Sequence, residues 1–462
     1  MQRHSYNMPY IWMISLTAAM GGLLFGYDWV VIGGAKPFYE KFFHLTSAFD
    51  VGWAMSCALA GCLIGAILSG VLSDRFGRKR LLILAGALFT VSAIGTALSN
   101  MFDAFILFRI LGGVGIGLAS NLSPMYIAEI SPANMRGRFV SVNQLTIVIG
   151  ILAAQLCNLF IARPIAENAT AIEILNSWNG QMGWRWMFAA EIVPASLFFL
   201  LMFFMPESPR WLVKKSRSVQ AQAILSKIGD KSYGDLEITN IKESLETENT
   251  AVKFRDLLKP GMKKILLLGV VLAVFQQWCG INVIFNYAEE IFSAAGYGVS
   301  AILFNIVITG AVNLIFTFIA IFTVDRWGRR PLMLIGSAGL AIIYIVLGAG
   351  YFFQSTGVHM LGLVVSAIGI YAMSLAPITW VVISEIFPNR IRGAAMSIAV
   401  SALWIACFVL TYSFPFLNRG LENAGTFWIY AGICVLGFLF IKARLPETKG
   451  KSLEEIEKAL TT

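Results

Sequence analysis

Charge is scarce in this chain. Only 13% of the 462 residues are Asp, Glu, Lys or Arg, while 57% are hydrophobic and the mean hydropathy is +0.73. A soluble protein carries about 25% charge, so the string of soluble domains that this length would allow is excluded. Histidine is nearly absent. His4, His44 and His359 fall in tails, loops or a helix end, which removes the side chain best suited to carry protons near neutral pH from the apolar interior. The six cysteines, Cys57, Cys62, Cys157, Cys279, Cys407 and Cys434, lie in apolar segments without a C-x-x-C pair. They form neither a secreted disulfide framework nor a metal-ligand pattern, and read as small packing residues. A phosphate-binding G-x-x-x-x-G-K-[ST] string is missing, which argues against an ATP-driven pump. With no nucleophile–histidine pairing and no metal cluster visible, an enzyme is disfavoured and no metal site is expected.

What the chain has instead is apolar runs of about 20 residues, enough to cross a bilayer core. Twelve are readable: Tyr10–Ile32, Val51–Ser73, Leu81–Ser99, Asp103–Tyr126, Phe139–Ile161, Arg185–Met205, Lys264–Tyr287, Ala301–Val324, Leu332–Phe353, His359–Ile383, Gly393–Phe416 and Thr426–Lys442. The expected fold class is an all-α membrane protein. The first run is too long for a signal-peptide core and is expected to be kept.

The formal charge of +9 is a matter of placement. Of 35 Lys and Arg, 29 fall in the N-terminal tail, the loops after the second, fourth, sixth, eighth and tenth runs, and the C-terminal tail. The opposite loops hold Lys36, Lys41, Arg163, Arg185 and Arg419. This asymmetry puts both termini in the cytoplasm, explains the basicity as topology, and leaves no case for nucleic acid.

Two hydrophilic intervals interrupt the runs. The larger, 206–263, is charge-rich, with Val219–Ile228 and Asp235–Glu246 readable as amphipathic helices. The smaller, Arg163 to Gly183, contains Asn168-Ala-Thr170, a glycosylation sequon only in a secretory pathway. The expected organisation is a six-helix bundle over 1–205, a cytosolic helical linker over 206–263, a second six-helix bundle over 264–445 and a cytosolic tail over 446–462.

The two bundles are copies. Asp74-Arg75-Phe-Gly77-Arg78 returns 251 residues later as Asp325-Arg326-Trp-Gly328-Arg329. Glu129-Ile-Ser-Pro-Ala-Asn-Met-Arg136 returns as Glu385-Ile-Phe-Pro-Asn-Arg-Ile-Arg392, and Pro206-Glu207-Ser208 as Pro446-Glu447-Thr448. Duplicated bundles are how many secondary transporters surround a central site. The basic strings close cytosolic turns, and Glu129 and Glu385 sit at the cytosolic ends of the fourth and tenth runs. Asp74, Arg75, Gly77, Arg78, Glu129, Arg136, Asp325, Arg326, Gly328, Arg329, Glu385 and Arg392 are therefore the expected cytosolic gate, with carboxylates holding arginines of neighbouring turns. The bland alternative is that these charges serve only as insertion signals.

These strings, together with Arg109-Ile-Leu-Gly-Gly-Val-Gly-Ile-Gly117, Pro124-Met-Tyr-Ile-Ala-Glu129, Pro206-Glu-Ser-Pro-Arg-Trp-Leu212, Gln276-Gln-Trp-Cys-Gly-Ile-Asn282 and Pro446-Glu-Thr-Lys-Gly450, resemble the sugar porters of the major facilitator superfamily along nearly the whole chain. The bacterial xylose and glucose symporters are the nearest in pattern. The resemblance implies two six-helix bundles and alternating access to a sugar at mid-membrane. Gly113-Val-Gly115-Ile-Gly117 looks like a nucleotide loop, but no strand precedes it; close helix packing fits it better, as for Gly61 and Gly65.

Asp28, Arg109 and Glu191 are charged well inside the runs, where a charge costs roughly 2.5–3.5 kcal/mol on insertion scales. Each lies about 6–10 Å from the outer boundary at about 1.5 Å per residue. That shared depth permits a cluster in which two acids compete for one cation, and the loser takes a proton. Proton coupling is assigned to Asp28, modulated by Arg109 and Glu191; the resemblance agrees, since proton-coupled members carry an acid in the string Phe25-Gly-Tyr-Asp28. The rival is a static ion pair in a uniporter.

A sugar needs amide donors and acceptors and an aromatic platform. Gln144, Gln276, Gln277, Asn282, Asn313, Trp380 and Trp404 supply them at mid-membrane and align with sugar-contacting positions of the family. Tyr371 occupies a position often aromatic there. Gly280 and Pro377 are expected to loosen their helices. Asn286 stands where relatives commonly have an aromatic, and Leu403 where many have an amide. The expected function is proton-coupled symport of a monosaccharide, a pentose or hexose with xylose and glucose leading. No cofactor beyond the proton is expected, and the protein is expected to act as a monomer in a bacterial inner membrane. A facilitative uniporter is the alternative within the class; a sugar sensor is disfavoured by the short tail.

Overall fold

A backbone amide in hydrocarbon finds no water, so each apolar run satisfies its own hydrogen bonds by closing into a helix. The computed structural model describes residues 5–166, 169–248, 260–387 and 392–449, and among the described residues there is no strand. The first six spans are Met8–Phe42, Ala48–Phe76, Arg78–Leu98, Phe102–Ile130, Arg136–Ile161 and Asn179–Phe204. Gly261–Asn286, Val299–Ala320, Arg329–Phe352 and Val358–Ile383 are the seventh to tenth. The final apolar stretch, Ala394–Arg444, is two spans joined without a loop, because Glu422 leaves the helical region at φ 55°. The first helix runs to Phe42, ten residues past the expected boundary at Ile32.

Local chemistry sets the ends. The Asn7 side chain accepts from the Tyr10 amide at 3.3 Å and Ser47 from Phe49 at 3.1 Å, capping the first and second spans. Gly77 and Gly328, at φ 92° and 90°, each end one span and start the next, a conformation that suits glycine alone.

Three spans are broken. The sixth turns at Ala190-Glu191, between Trp184–Ala189 and Ile192–Phe204, after a π-turn at Asn179–Gly183. The seventh divides at Gly280 (φ 86°), giving Pro260–Trp278 and Ile281–Asn286, and a short helix, Ala288–Ala294, follows the span beyond Tyr287. The tenth divides at Ser374, between Val358–Met373 and Leu375–Ile386. Pro377 thus falls in a first helical turn, where its missing N–H is not needed.

The glycine-rich stretch of the fourth span is a packing surface. A Cβ at Gly61 or Gly65 would strike the Ile110 or Val114 carbonyl, and one at Gly113 or Gly117 the Ala58 or Cys62 carbonyl. The second and fourth spans therefore cross backbone to backbone.

Among its described residues the hydrophilic interval holds three helices, Pro209–Lys214, Ser218–Ile228 and Lys231–Glu248. The first of these is hidden from periodicity by its shortness; Ser208 caps it with Pro209 at its start, and it buries Trp211, Leu212 and Val213 against Ala221. Asn168 of the sequon lies outside the described residues, as do the side chains of Asp325 and Arg392 and the tail beyond residue 449.

Candidate functional site

The charged residues of the apolar interior come together. Arg109 of the fourth span donates through Nη1 to Asp28 Oδ1 of the first, and its Nη2 lies 3.3 Å from the Asp28 backbone carbonyl. Both residues are buried, at 1% and 2% exposure, so the pair is closed to bulk water in this conformation. The Phe188 ring lies 5.4 Å from the guanidinium centre, and Gly112 keeps the space beside Asp28 open, since a Cβ there would come 3.0 Å from Oδ2. Glu191 is equally buried, at the turn of the sixth span, and its Oε1 has no hydrogen-bond partner; nor do Asp28 Oδ2 and Arg109 Nε. The arginine pairs with Asp28 and leaves Glu191 as the second acid.

The amides of the seventh span form a chain in the other half. Asn282 donates to Gln277 Oε1, and Gln277 Nε2 donates to Gln276 Oε1 at 2.8 Å. Gln276 Nε2 reaches the Ala376 carbonyl of the tenth span at 3.4 Å, and Asn282 Nδ2 lies 3.6 Å from Cys407 Sγ of the eleventh. The left-handed turn at Gly280 is what lets Gln277 and Asn282, on two separate helices, face each other. Trp404 of the eleventh span is buried and its Nε1 unpaired, with its ring 6.0 Å from those of Phe25 and Trp29 on the first span. The side chains of Gln144 and Asn313 have no hydrogen bond among the described residues and are not part of the chain. Tyr371 is half-buried and Trp380 is 37% exposed on the tenth span. Periodicity gave no signal for Phe25 and Trp29, which lie on the first span beside the acid.

At the end of the bundle that carries both described termini, the duplicated strings build the same cluster twice. In the first half Arg78 Nη2 donates to Glu129 Oε1 at 2.9 Å, and Ser208 Oγ to Glu129 Oε2 at 2.5 Å. In the second half Arg329 Nη2 donates to Glu385 Oε1 at 3.1 Å, and Thr448 Oγ1 to Glu385 Oε2 at 2.6 Å. Glu207 Oε1 accepts the amides of Arg78 and Lys79 at 3.0 and 3.1 Å, capping the third span; Glu447 accepts those of Arg329 and Arg330 at 3.0 and 3.1 Å, capping the ninth. Asp74 holds Lys214 of the linker at 2.8 Å and Arg78 at 3.4 Å. Arg75, Arg136 and Arg326 are exposed. Burial raises the Glu447 carboxyl, but the amides of Lys449, Arg329, Arg330 and Thr448 outweigh it and hold its pKa below the ordinary value. Each described arginine–glutamate pair joins two spans of the same half, and the linker or the tail supplies the hydroxyl beside it. Glu207, Glu447, Ser208 and Thr448 join these clusters without having been expected there, although the repeated Pro-Glu-[Ser/Thr] string was their signal.

The halves meet toward the other end. Gly33 of the first span abuts the Phe285 carbonyl of the seventh, where a Cβ would stand 2.7 Å away, and Gly52 of the second abuts the Tyr412 carbonyl of the eleventh at the same distance. The sites are thus closed at the far end.

Residues 14–460 match the family described as sugar (and other) transporter. The chain belongs to this family. It is 40% identical to the D-xylose-proton symporter of Escherichia coli K12, over 98% of this chain and 96% of that protein. It is 42% identical to the arabinose-proton symporter of Bacillus subtilis 168, with the same coverage. The solved inward-open conformation of the xylose transporter XylE from E. coli superposes with a TM-score of 0.84 at 39% identity, over 97% of this chain and 99% of that one. The protein is therefore a multi-pass sugar transporter of the major facilitator fold, and it is not an enzyme.

Proposed function

We propose that this transporter is a proton-coupled monosaccharide symporter with a pentose or hexose as cargo, xylose and glucose leading. The observation that carries the reading is the buried Asp28–Arg109 pair with Glu191 beside it in the first half, facing a hydrogen-bonded amide chain with an aromatic neighbour in the second. Asp28 is the proton acceptor. A proton on Asp28 removes the counter-charge of Arg109, and Glu191, the nearest other carboxylate, takes over the guanidinium. The pairing then differs between the loaded and empty carrier, which is what a coupling group requires. Gln276, Gln277, Asn282, Gln144 and Asn313 supply donors and acceptors for sugar hydroxyls, and Trp380, Trp404 and Tyr371 the apolar faces. Neutral amides select hydroxyls without burying a charge.

The two arginine–carboxylate clusters mark the cytosolic end and hold each half rigid as the halves rock. Both termini are then cytoplasmic, as the basic residues require, and the protein works as a monomer in the lipid bilayer of a bacterial inner membrane, with the proton as its only coupling species. Uptake into proteoliposomes tests the reading. An inward-directed pH gradient is expected to drive accumulation of a cognate monosaccharide, and Asp28→Asn to lower accumulation at least tenfold while leaving equilibrating exchange. Accumulation that survives Asp28→Asn would overturn the assignment.

A further inference from the structure

A second charged cluster sits at the outer end, away from the sugar and Asp28 sites, and it joins the two halves. Its centre is Lys36 of the first span, 2% exposed. Lys36 Nζ lies 2.9 Å from Glu40 Oε1 one turn along, 2.6 Å from Glu290 Oε1 and 3.3 Å from Glu289 Oε2. Glu289 and Glu290 open the helix Ala288–Ala294 of the second half, so these ion pairs exist only while the outer end is closed. Lys41 Nζ approaches Glu289 Oε1 at 3.9 Å. The other titratable groups around it are phenols with partners of their own. Tyr39 Oη lies 3.0 Å from Met55 Sδ, and Tyr287 Oη and Tyr351 Oη donate to the Thr411 and Ile291 carbonyls.

Three carboxylates face two ammonium groups. One negative charge is left without a partner, and closing the outer end takes it out of water, which is unfavourable unless it is neutralised. Glu290 Oε2 is buried with no hydrogen-bond partner, while the Glu289 and Glu290 side chains keep 18% and 25% exposure. A proton from the outer solution therefore has both a vacant oxygen and a route to it. We propose that the Lys36–Glu40–Glu289–Glu290 cluster is a second proton-binding site, distinct from Asp28, which takes up one proton as the outer end closes.

The direction follows from linkage. In the closed form burial foremost, opposed by Lys36 and aided by Glu289 and Glu40, pushes the Glu290 carboxyl up to about 7. When the outer end opens, Glu290 meets water and returns toward the ordinary carboxylate value near 4.3. The closed form then binds the proton more tightly, so acid favours closure, and the preference is lost as pH rises through about 7. Closure of the outer gate is thereby tied to proton supply on the side from which the symporter draws its protons. The inference does not depend on which sugar is carried.

Spin labels on cysteines replacing Met101 and Phe353, which are 67% and 75% exposed at the outer ends of opposite halves, report the gate by pulsed electron spin resonance in nanodiscs without any transport assay. Failure here would leave the symport reading standing, and failed uptake would leave this one standing. Between pH 8 and pH 6 the ratio of short to long distances is expected to rise by up to about tenfold, the limit for one proton titrating near 7. Glu290→Gln, which mimics the protonated site, is expected to show the short distance at both pH values. Asp28→Asn is expected to keep the pH step. A ratio that is constant or falls in acid, a step that persists in Glu290→Gln, or one that vanishes in Asp28→Asn would overturn the proposal. If Glu290→Gln does not fold, the parent pH series and Asp28→Asn still decide it.

Discussion

Glu207 and Glu447 show how much a single side chain can do at a span terminus. Each carboxylate accepts the first two backbone amides of a distant helix, the third span for Glu207 and the ninth for Glu447, at 3.0–3.1 Å, beside a glycine with φ near 90°. A Cβ on Gly328 would stand 2.8 Å from Glu447 Oε2, so glycine and glutamate form one device. Because the folded pKa of Glu447 is depressed, its contribution is fully present above the ordinary carboxylate value of 4.5 and is lost as pH falls through the folded value. Glu447→Gln is expected to lower stability by about 1 kcal/mol at neutral pH, allowing for its partial exposure. The difference in Tm between parent and variant in detergent should shrink below about pH 4.5. A difference that stays constant with pH would mean that the charge of Glu447 is irrelevant to the cap.

Among the elements, each broken span carries part of the candidate site. Glu191 stands at the turn of the sixth, Gln277 and Asn282 flank the break of the seventh, and Tyr371 and Trp380 flank that of the tenth. Broken helices free backbone and let side chains from two axial directions converge. Gly280→Ala is expected to cost about 1–2 kcal/mol from the left-handed backbone alone, and its Cβ would meet the Tyr430 ring at 2.8 Å. Pro377→Ala should change stability by less than about 1 kcal/mol, since Pro377 lies in a first helical turn. Thermal unfolding of the two variants checks this ranking, and equal losses would refute the idea that Gly280 is the strained hinge.

For the whole molecule, the decisive asymmetry is between the two ends. The arginine–carboxylate pairs described at the end that carries the termini join spans of one half, while the halves touch at the opposite end through Gly33 on Phe285, Gly52 on Tyr412 and the Lys36 cluster. Gly33→Leu places bulk where a Cβ is already 2.7 Å from a carbonyl and is expected to hold the outer end open. Sugar binding from outside should persist while uptake falls at least tenfold, as measured by equilibrium binding beside proteoliposome flux. Unchanged uptake would show that this crossing is not part of the gate.

Membrane insertion responds to local composition, so the sequence alone determined the spans, the duplication and the position of the charges along each helix. Even the glycine packing of the fourth span was legible, because small residues spaced along one helix face have few other uses in an apolar run. Pairing between distant segments was legible only at the repeated strings, where Glu129 and Glu385 hold Arg78 and Arg329. Depth along the membrane placed Asp28, Arg109 and Glu191 together, but only the crossing of the first and fourth spans decided that Arg109 takes Asp28 and leaves Glu191 alone. The repeat displayed Glu207 and Glu447 without their role, because a cap is defined by an amide more than 100 residues away. Lys36 looked like a loop charge, since the first helix was expected to stop at Ile32. It continues to Phe42, and Glu289 and Glu290, some 250 residues on, join Glu40 in neutralising the lysine that the helix buries.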